Sequence, residues 1–263
     1  MSSKLKSVTR QFFQSQIRYL GGTYAWVVGI LIVVPLIYDA LTQQLSTYVF
    51  SNVIKGLALN FVFGFFIFII TWFTTDDFQL CIQNGISRRT FFRARLLSIV
   101  AITFVGDLIA TIYNQIVWSP HLTNFLSNTA FGFYSKGFSS AWLAGLGAFL
   151  FGWLDYLCLG TLGMAIGSGL SLLSKRMRYT VLIAVPVVGL LLLNLLLTIF
   201  TKLPQAYLNR TWLNFLWWAV GDPGHQQAVG YFNPLVPTLF LVGFTTIFTA
   251  IASQCYRHLQ VKK

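Results

Sequence analysis

Six stretches of this chain, at about 20–40, 54–74, 96–118, 141–169, 180–200 and 234–254, are long and apolar enough to cross a bilayer. Lipid offers no partner to exposed backbone, so a segment immersed in it must satisfy its own N–H and C=O groups. A barrel strand needs only about ten residues of alternating polarity, whereas these runs are about twice as long and continuously apolar. All six are therefore predicted to be helices. The expected fold is an all-α membrane protein with six transmembrane helices, forming a single transmembrane domain over residues 1–263. With 56% hydrophobic and 9% charged residues, the chain has too little charge for a soluble domain of this size. Crossing the bilayer uses about half of it, so the remaining loops cannot hold a separate enzyme domain.

The basic residues report orientation. Lys4, Lys6, Arg10 and Arg18 precede the first run, and Arg88, Arg89, Arg93 and Arg95 follow the second. Lys175, Arg176 and Arg178 follow the fourth, and Arg257, Lys262 and Lys263 follow the sixth. These 14 fall on one side, against Lys55, Lys136, Lys202 and Arg210, only 4, on the other. Because basic residues near span ends are retained in the cytoplasm, both termini are expected there, in a multi-pass protein of the plasma membrane. Topology also accounts for most of the formal charge of +12, so no nucleic-acid partner is implied. Residues 4–19 place Leu5, Val8, Phe12, Phe13 and Ile17 at helical spacing, opposite Lys6, Arg10, Gln14 and Arg18. That is the pattern of an interfacial helix on the inner leaflet; a disordered basic tail is the alternative. This segment and the long run after it do not form the pattern of a cleaved signal peptide.

Catalytic chemistry has little to draw on. There is no phosphate loop, no dinucleotide fingerprint, no His-Glu-x-x-His and no nucleophile elbow. The chain contains no Glu and six Asp, which leaves very few carboxylates for acid–base work. No catalytic residues are assigned. His121, His225 and His258 are scattered, and Cys81, Cys158 and Cys255 make neither a metal site nor a disulfide framework.

The segment between the second and third runs is the most informative. Thr75 or Asp76 can cap a short helix containing Asp77, Phe78, Leu80, Cys81, Ile82 and Gln83, and Asn84-Gly85 can end it through positive φ. Ser87 then follows Ile86 and caps the next helix, which carries Arg88, Arg89, Arg93 and Arg95. A surface helix of about eight residues, roughly 12 Å long, suits a groove on a cytoplasmic partner. It equally suits an amphipathic connector anchored to lipid phosphates.

The stretch Gln-Asn-Gly-Ile-Ser-Arg-Arg-Thr-Phe-Phe-Arg-Ala-Arg at 83–95 resembles the Gly-x-Ser-Arg/Lys-x-x-Phe that follows the second span in permeases of bacterial type-2 ATP-binding-cassette (ABC) exporters. That group includes bacteriocin and antibiotic self-immunity permeases. The layout is similar over nearly the whole chain, with an amphipathic leading helix, six spans and an outer segment before the last. The resemblance implies an exporter subunit moving a hydrophobic or amphipathic substrate, such as a peptide antibiotic, a bacteriocin or a lipid. It implies a coupling helix at Asp76 to Arg89 seated on a separate ATPase subunit, which would hold the ATP and magnesium; no cofactor is expected in this chain. It further implies a second permease chain, identical or homologous, in a dimer within the lipid bilayer. The chain departs from the family in having no Glu in this loop, where Asp76 and Asp77 stand instead.

Asp107 and Asp155 fall near the middle of the third and fourth runs, where an ionised carboxylate costs about 2.5–3.5 kcal/mol. They either line a pathway or hydrogen-bond internally to Thr103, Thr111, Asn114 or Tyr156. A second function class follows from them: an ion-coupled secondary transporter or channel using Asp107 and Asp155. The fourth run is glycine-rich and contains Gly163-x-x-x-Gly167, which fits close helix packing within the chain or self-association. Pro35 and Pro186 are expected to kink the first and fifth spans. Between Pro204 and Pro234, Leu208, Trp212, Phe215 and Ala219 share a helical face and Gly221-Asp222-Pro223-Gly224 breaks it. An outer re-entrant or interfacial helix pair between spans five and six is expected, or a simple aromatic anchor.

Overall fold

The computed structural model describes residues 3–42, 59–73, 75–118, 130–174, 176–181, 184, 191, 194, 210–222 and 230–259. Within them run α1 (Ser3–Leu41), α2 (Leu59–Trp72), α3 (Thr75–Gln83), α4 (Arg88–Trp118), α5 (Ala141–Leu172), α6 (Arg210–Val220) and α7 (Leu235–His258). Short 3-10 turns at Ala130–Phe133 and Ser135–Gly137 lead into α5, and no strand occurs among the described residues.

Helices α1, α4, α5 and α7 are each long and apolar enough to cross a membrane, and α2 with α3 makes a fifth if the pair, bent by 42°, is one path. The architecture is that of an α-helical membrane protein. Of the six expected spans, the fifth (180–200) lies outside the described residues except for helical positions 180, 181, 184, 191 and 194. The second is described from Leu59 onward as a helix of 14 residues, about 21 Å long.

The N-terminal amphipathic stretch and the first apolar run form one continuous helix of 39 residues, about 58 Å long. Its first half places Val8, Phe12, Gln16 and Leu20, one turn apart, against the bundle, while Lys6, Arg10, Gln14 and Arg18 stay exposed. Its second half is apolar and exposed, as a surface that meets lipid tails need not be hidden. Pro35 removes one N–H from the ladder, yet the helix continues past it to Leu41. Pro186 lies outside the described residues.

Among the described residues the buried side chains form three clusters. At one end Phe12, Phe78, Phe91, Met164, Ala252 and Tyr256 pack together from α1, α3, α4, α5 and α7. Rings of Phe78, Phe91 and Tyr256 lie 5.3–6.1 Å apart there. Arg88, Arg89, Arg93, Arg95 and Arg257 lie on the helix ends that meet at this core, so we call it the basic end. Its neighbour at mid-height joins Leu20, Phe63, Phe66, Ile67, Ile102 and Tyr156. At the opposite end Tyr134 and Phe232 form a small cluster with Phe151.

The glycines of α5 have a definite use. A Cβ on Gly163 would meet the Phe68 carbonyl oxygen at 2.6 Å, and one on Gly167 would collide with the Trp72 carbonyl. The Gly163-x-x-x-Gly167 face therefore seats α2 within the same chain, which is the intramolecular packing alternative. Backbone cannot retreat as a flexible side chain can, so Gly167→Ala is expected to cost about 1–3 kcal/mol of overpacking. Gly169→Ala, where a Cβ meets nothing within 4 Å, should be neutral. Thermal unfolding of the two variants in detergent checks the contrast.

Candidate functional site

At the basic end, α3 is fixed by its own local chemistry and by one buried cation. Gly85 takes φ 72°, and its N–H donates to Ile82 O while Ile86 N–H donates to Cys81 O, closing the helix. Ser87 Oγ accepts from Thr90 N–H at 3.2 Å and caps α4. Phe78 and Cys81 are buried and Ile82 packs beside them, whereas Leu80 is 56% exposed. The helix thus has an inner face at Phe78, Cys81 and Ile82 and an outer one at Leu80 and Gln83. Arg88 Nη1 donates to the Arg257 carbonyl at 2.6 Å, tying the start of α4 to the last turn of α7.

Arg95 is the largest fully buried side chain among the described residues. Its Nη1 donates to Asp77 Oδ2 at 2.7 Å, and its Nη2 donates to the carbonyls of Ile70 at 2.8 Å and Phe73 at 3.2 Å. Those carbonyls belong to the last turn and end of α2, where no intrahelical N–H remains to satisfy them and the helix dipole favours a cation. The guanidinium also lies 5.7 Å from the Phe12 ring centre. One side chain on α4 therefore joins α1, α2 and α3.

The second locus is a cleft of about 950 Å³ between α2, α4, α5, α6 and α7. Asp107 lies at its floor, 5% exposed, and Asp155 is exposed within it. A Cβ on Gly152 would sit 2.8 Å from Asp107 Oδ1, and Asp155 follows Gly152 by three positions, on the same side of α5. The two carboxylates therefore share one wall. Three nearby donors serve other acceptors: Asn114 Nδ2 donates to Asn60 Oδ1 at 3.2 Å, Tyr156 Oη donates to the Asn60 carbonyl at 3.1 Å, and Thr103 Oγ1 donates to Ile99 O; the Tyr24 hydroxyl, near enough to feel Asp107, makes no hydrogen bond to it or to any other group among the described residues. Asp107 Oδ2 has no hydrogen-bond partner.

Helix α6 closes the cleft at the end away from the basic residues. Phe215, Leu216, Ala219 and Val220 line it, and Phe215 and Trp218 pack edge-on against Phe240 of α7. The helix ends where expected, at Gly221 with φ 94°, whose carbonyl accepts from Asn233 N–H. Tyr134 Oη donates to Val220 O at 3.0 Å, and burial pushes that phenol up, so it stays protonated as a donor. One helix of the expected outer pair is present; 223–229 lie outside the described residues.

The residues singled out in the loop therefore divide. Asp77, Phe78, Ile82, Ile86 and Ser87 hold the element in place, as do exposed Gly85 through its turn and exposed Arg88 through the Arg257 carbonyl, while Leu80 and Gln83 lie on the outer face and Arg89 is exposed. Asp76 belongs to α3, and its side chain lies outside the described residues. Sequence reading missed two internal fasteners. Arg95 reads as one more basic residue near a span end, and its burial has no local signal. Gln16, whose Oε1 accepts a hydrogen bond from Ser98 Oγ across to α4, is visible as the polar interruption of the Val8–Phe12–Leu20 stripe. No group of three or more His, Cys, Asp or Glu able to hold a metal ion occurs among the described residues.

Comparison with family models, with curated proteins and with solved structures finds no match to this chain.

Proposed function

We propose that this chain is the membrane-spanning permease subunit of a bacterial ABC exporter. A separate ATPase chain drives it, and the cleft between α2, α4, α5, α6 and α7 belongs to its translocation pathway. The observation that carries the reading is α3: a preformed helix at the basic end whose inner face is locked into the bundle and whose outer face presents Leu80 and Gln83. Arg95 connects that helix directly to the end of α2 and to α4, so a push on α3 reaches the helices that wall the cleft. The resemblance of residues 83–95 to the loop of type-2 permeases supports the same assignment. On this reading ATP and magnesium bind the partner, Asp76 to Arg89 face it in the cytoplasm, and both termini lie on that side of the plasma membrane. A second permease chain, identical or homologous, completes the pathway.

Six spans fit the chain direction better than five. Helix α5 ends at the basic end and α7 begins at the other, beside Tyr134 and Phe151, which supports reading the apolar run at 180–200 as a further span. The substrate class is a hydrophobic or amphipathic molecule, such as a peptide antibiotic, a bacteriocin or a lipid. The chain then serves export or self-immunity.

A second reading, an ion-coupled transporter or channel, is favoured by one observation: Asp107 and Asp155 line the same cleft. Energetics separates the two. In inverted vesicles from the native host containing excess chain, uptake of labelled amphiphilic peptides is expected to need ATP and to survive ionophores that collapse ion gradients. Uptake driven by a pH or sodium gradient without ATP would establish the second reading instead.

A further inference from the structure

We infer that the cleft is a binding site for an amphiphile carrying a protonated amine, with Asp107 and Asp155 receiving the ammonium group and the aromatic walls receiving the apolar body. The inference deepens the transport reading, on which it rests only in treating the occupant as cargo.

Three features meet there. The first is an unanswered charge: Asp107 is 95% buried by its 5% exposure, it lines the cleft, and its Oδ2 has no partner. A buried carboxylate needs a donor or a cation. Among the described lining residues there is no Lys, Arg or His, and the Asn114 amide and Tyr156 hydroxyl already donate to Asn60. Asp155, exposed on the same wall, adds a second carboxylate. A ligand bearing positive charge and N–H donors meets it.

The second feature is the rest of the surface. Phe61, Phe65 and Phe68 from α2 face the space together with Phe215 from α6 and Phe240 and Phe244 from α7. Aromatic faces attract organic ammonium groups and accept alkyl or aryl bodies. A metal ion takes six or more oxygen ligands in the case of calcium, and phenylalanine walls supply none. The third feature is size. About 950 Å³ is near the upper end of small-molecule sites and far more than a bare ion fills.

The binding test needs neither nucleotide nor partner. The full chain is placed in nanodiscs of zwitterionic lipid, and equilibrium binding of radiolabelled octylamine is compared with that of 1-octanol and octyl sulfate, with protein-free nanodiscs subtracted. Saturable octylamine binding at one per chain is expected, at least tenfold tighter than 1-octanol, with octyl sulfate weaker still. Asp107→Asn and Asp155→Asn should each weaken octylamine at least tenfold and leave 1-octanol unchanged. If Asp107→Asn lowers the yield of folded protein, the Asp155→Asn variant, altered at an exposed position, carries the comparison. Equal binding of amine and alcohol overturns the inference, as does amine binding that both variants retain or that sodium chloride displaces at an ionic strength where choline chloride does not. Because no ATPase is present, any of these failures leaves the energy source of transport untouched. A negative vesicle experiment would likewise leave an amine-binding cleft in place.

Discussion

Arg95→Met is expected to lower stability by about 2–4 kcal/mol, chiefly because two carbonyls lose a charged donor. The methionine fills part of the volume but donates nothing. Asp77 loses its partner at 2.7 Å, and the Ile70 and Phe73 carbonyls at the end of α2 lose theirs. The loss is unequal among them. Asp77 is 50% exposed, so solvent takes over part of its demand, and Asp77→Asn should cost well under half as much as Arg95→Met. Arg95→Lys should not restore stability, because a single ammonium cannot reproduce the forked reach to a carboxylate and two carbonyls on different elements. Chemical denaturation in mild detergent, or the fraction of monodisperse protein after heating, ranks the three variants. Equal losses for Arg95→Met and Asp77→Asn would mean that the ion pair, and not the carbonyl clamp, is the larger part of the junction.

What could be read in the sequence follows from how local each cause is. The α3 turn was legible because its signals lie within a dozen residues: Gly85 permits the left-handed φ of 72°, and Ser87 accepts from the N–H three positions on. The ending of α6 at Gly221 was legible for the same reason. Asp107 and Asp155 were visible as carboxylates in apolar runs, but the cleft they share is made by five helices and could not be seen from any one of them. Arg95 was misread because its partners lie 18, 22 and 25 residues away. A count of charges near span ends treats such a residue as facing headgroups. The α5 glycines announced a close approach without saying to what; the answer, the backbone of α2 at Phe68 and Trp72, is a tertiary fact. The helix that runs from Ser3 to Leu41 without a break was divided in the sequence at the change from amphipathic to wholly apolar, which marks a change of surroundings and not of backbone.

Leu80→Asp should have the largest effect on function with the smallest effect on folding. Leu80 is a large apolar side chain, 56% exposed, on the outer face of a helix whose inner face is fixed by Phe78, Cys81 and Ile82. Seated in a partner's groove, such an anchor contributes about 2 kcal/mol or more, so a carboxylate there should weaken ATPase assembly at least thirtyfold, by the same arithmetic. In the isolated chain Leu80 belongs to no buried cluster among the described residues, and the melting temperature should move by no more than about 2 °C. A substitution at Gln83 offers a milder version on the same face. If α3 were only a lipid anchor, Leu80→Asp would alter membrane extraction and leave any ATPase association unchanged.

On the proposed reading this chain takes its energy from another polypeptide docked on α3. The most direct measurement is purification of the tagged chain from its native host in mild detergent, in the wild-type and Leu80→Asp forms, with the accompanying proteins identified and ATP hydrolysis assayed. An ATP-hydrolysing chain is expected in stoichiometric amount with the wild type and is expected to be lost from Leu80→Asp. A chain that purifies without any ATPase, while an ion gradient alone supports its transport, would contradict it.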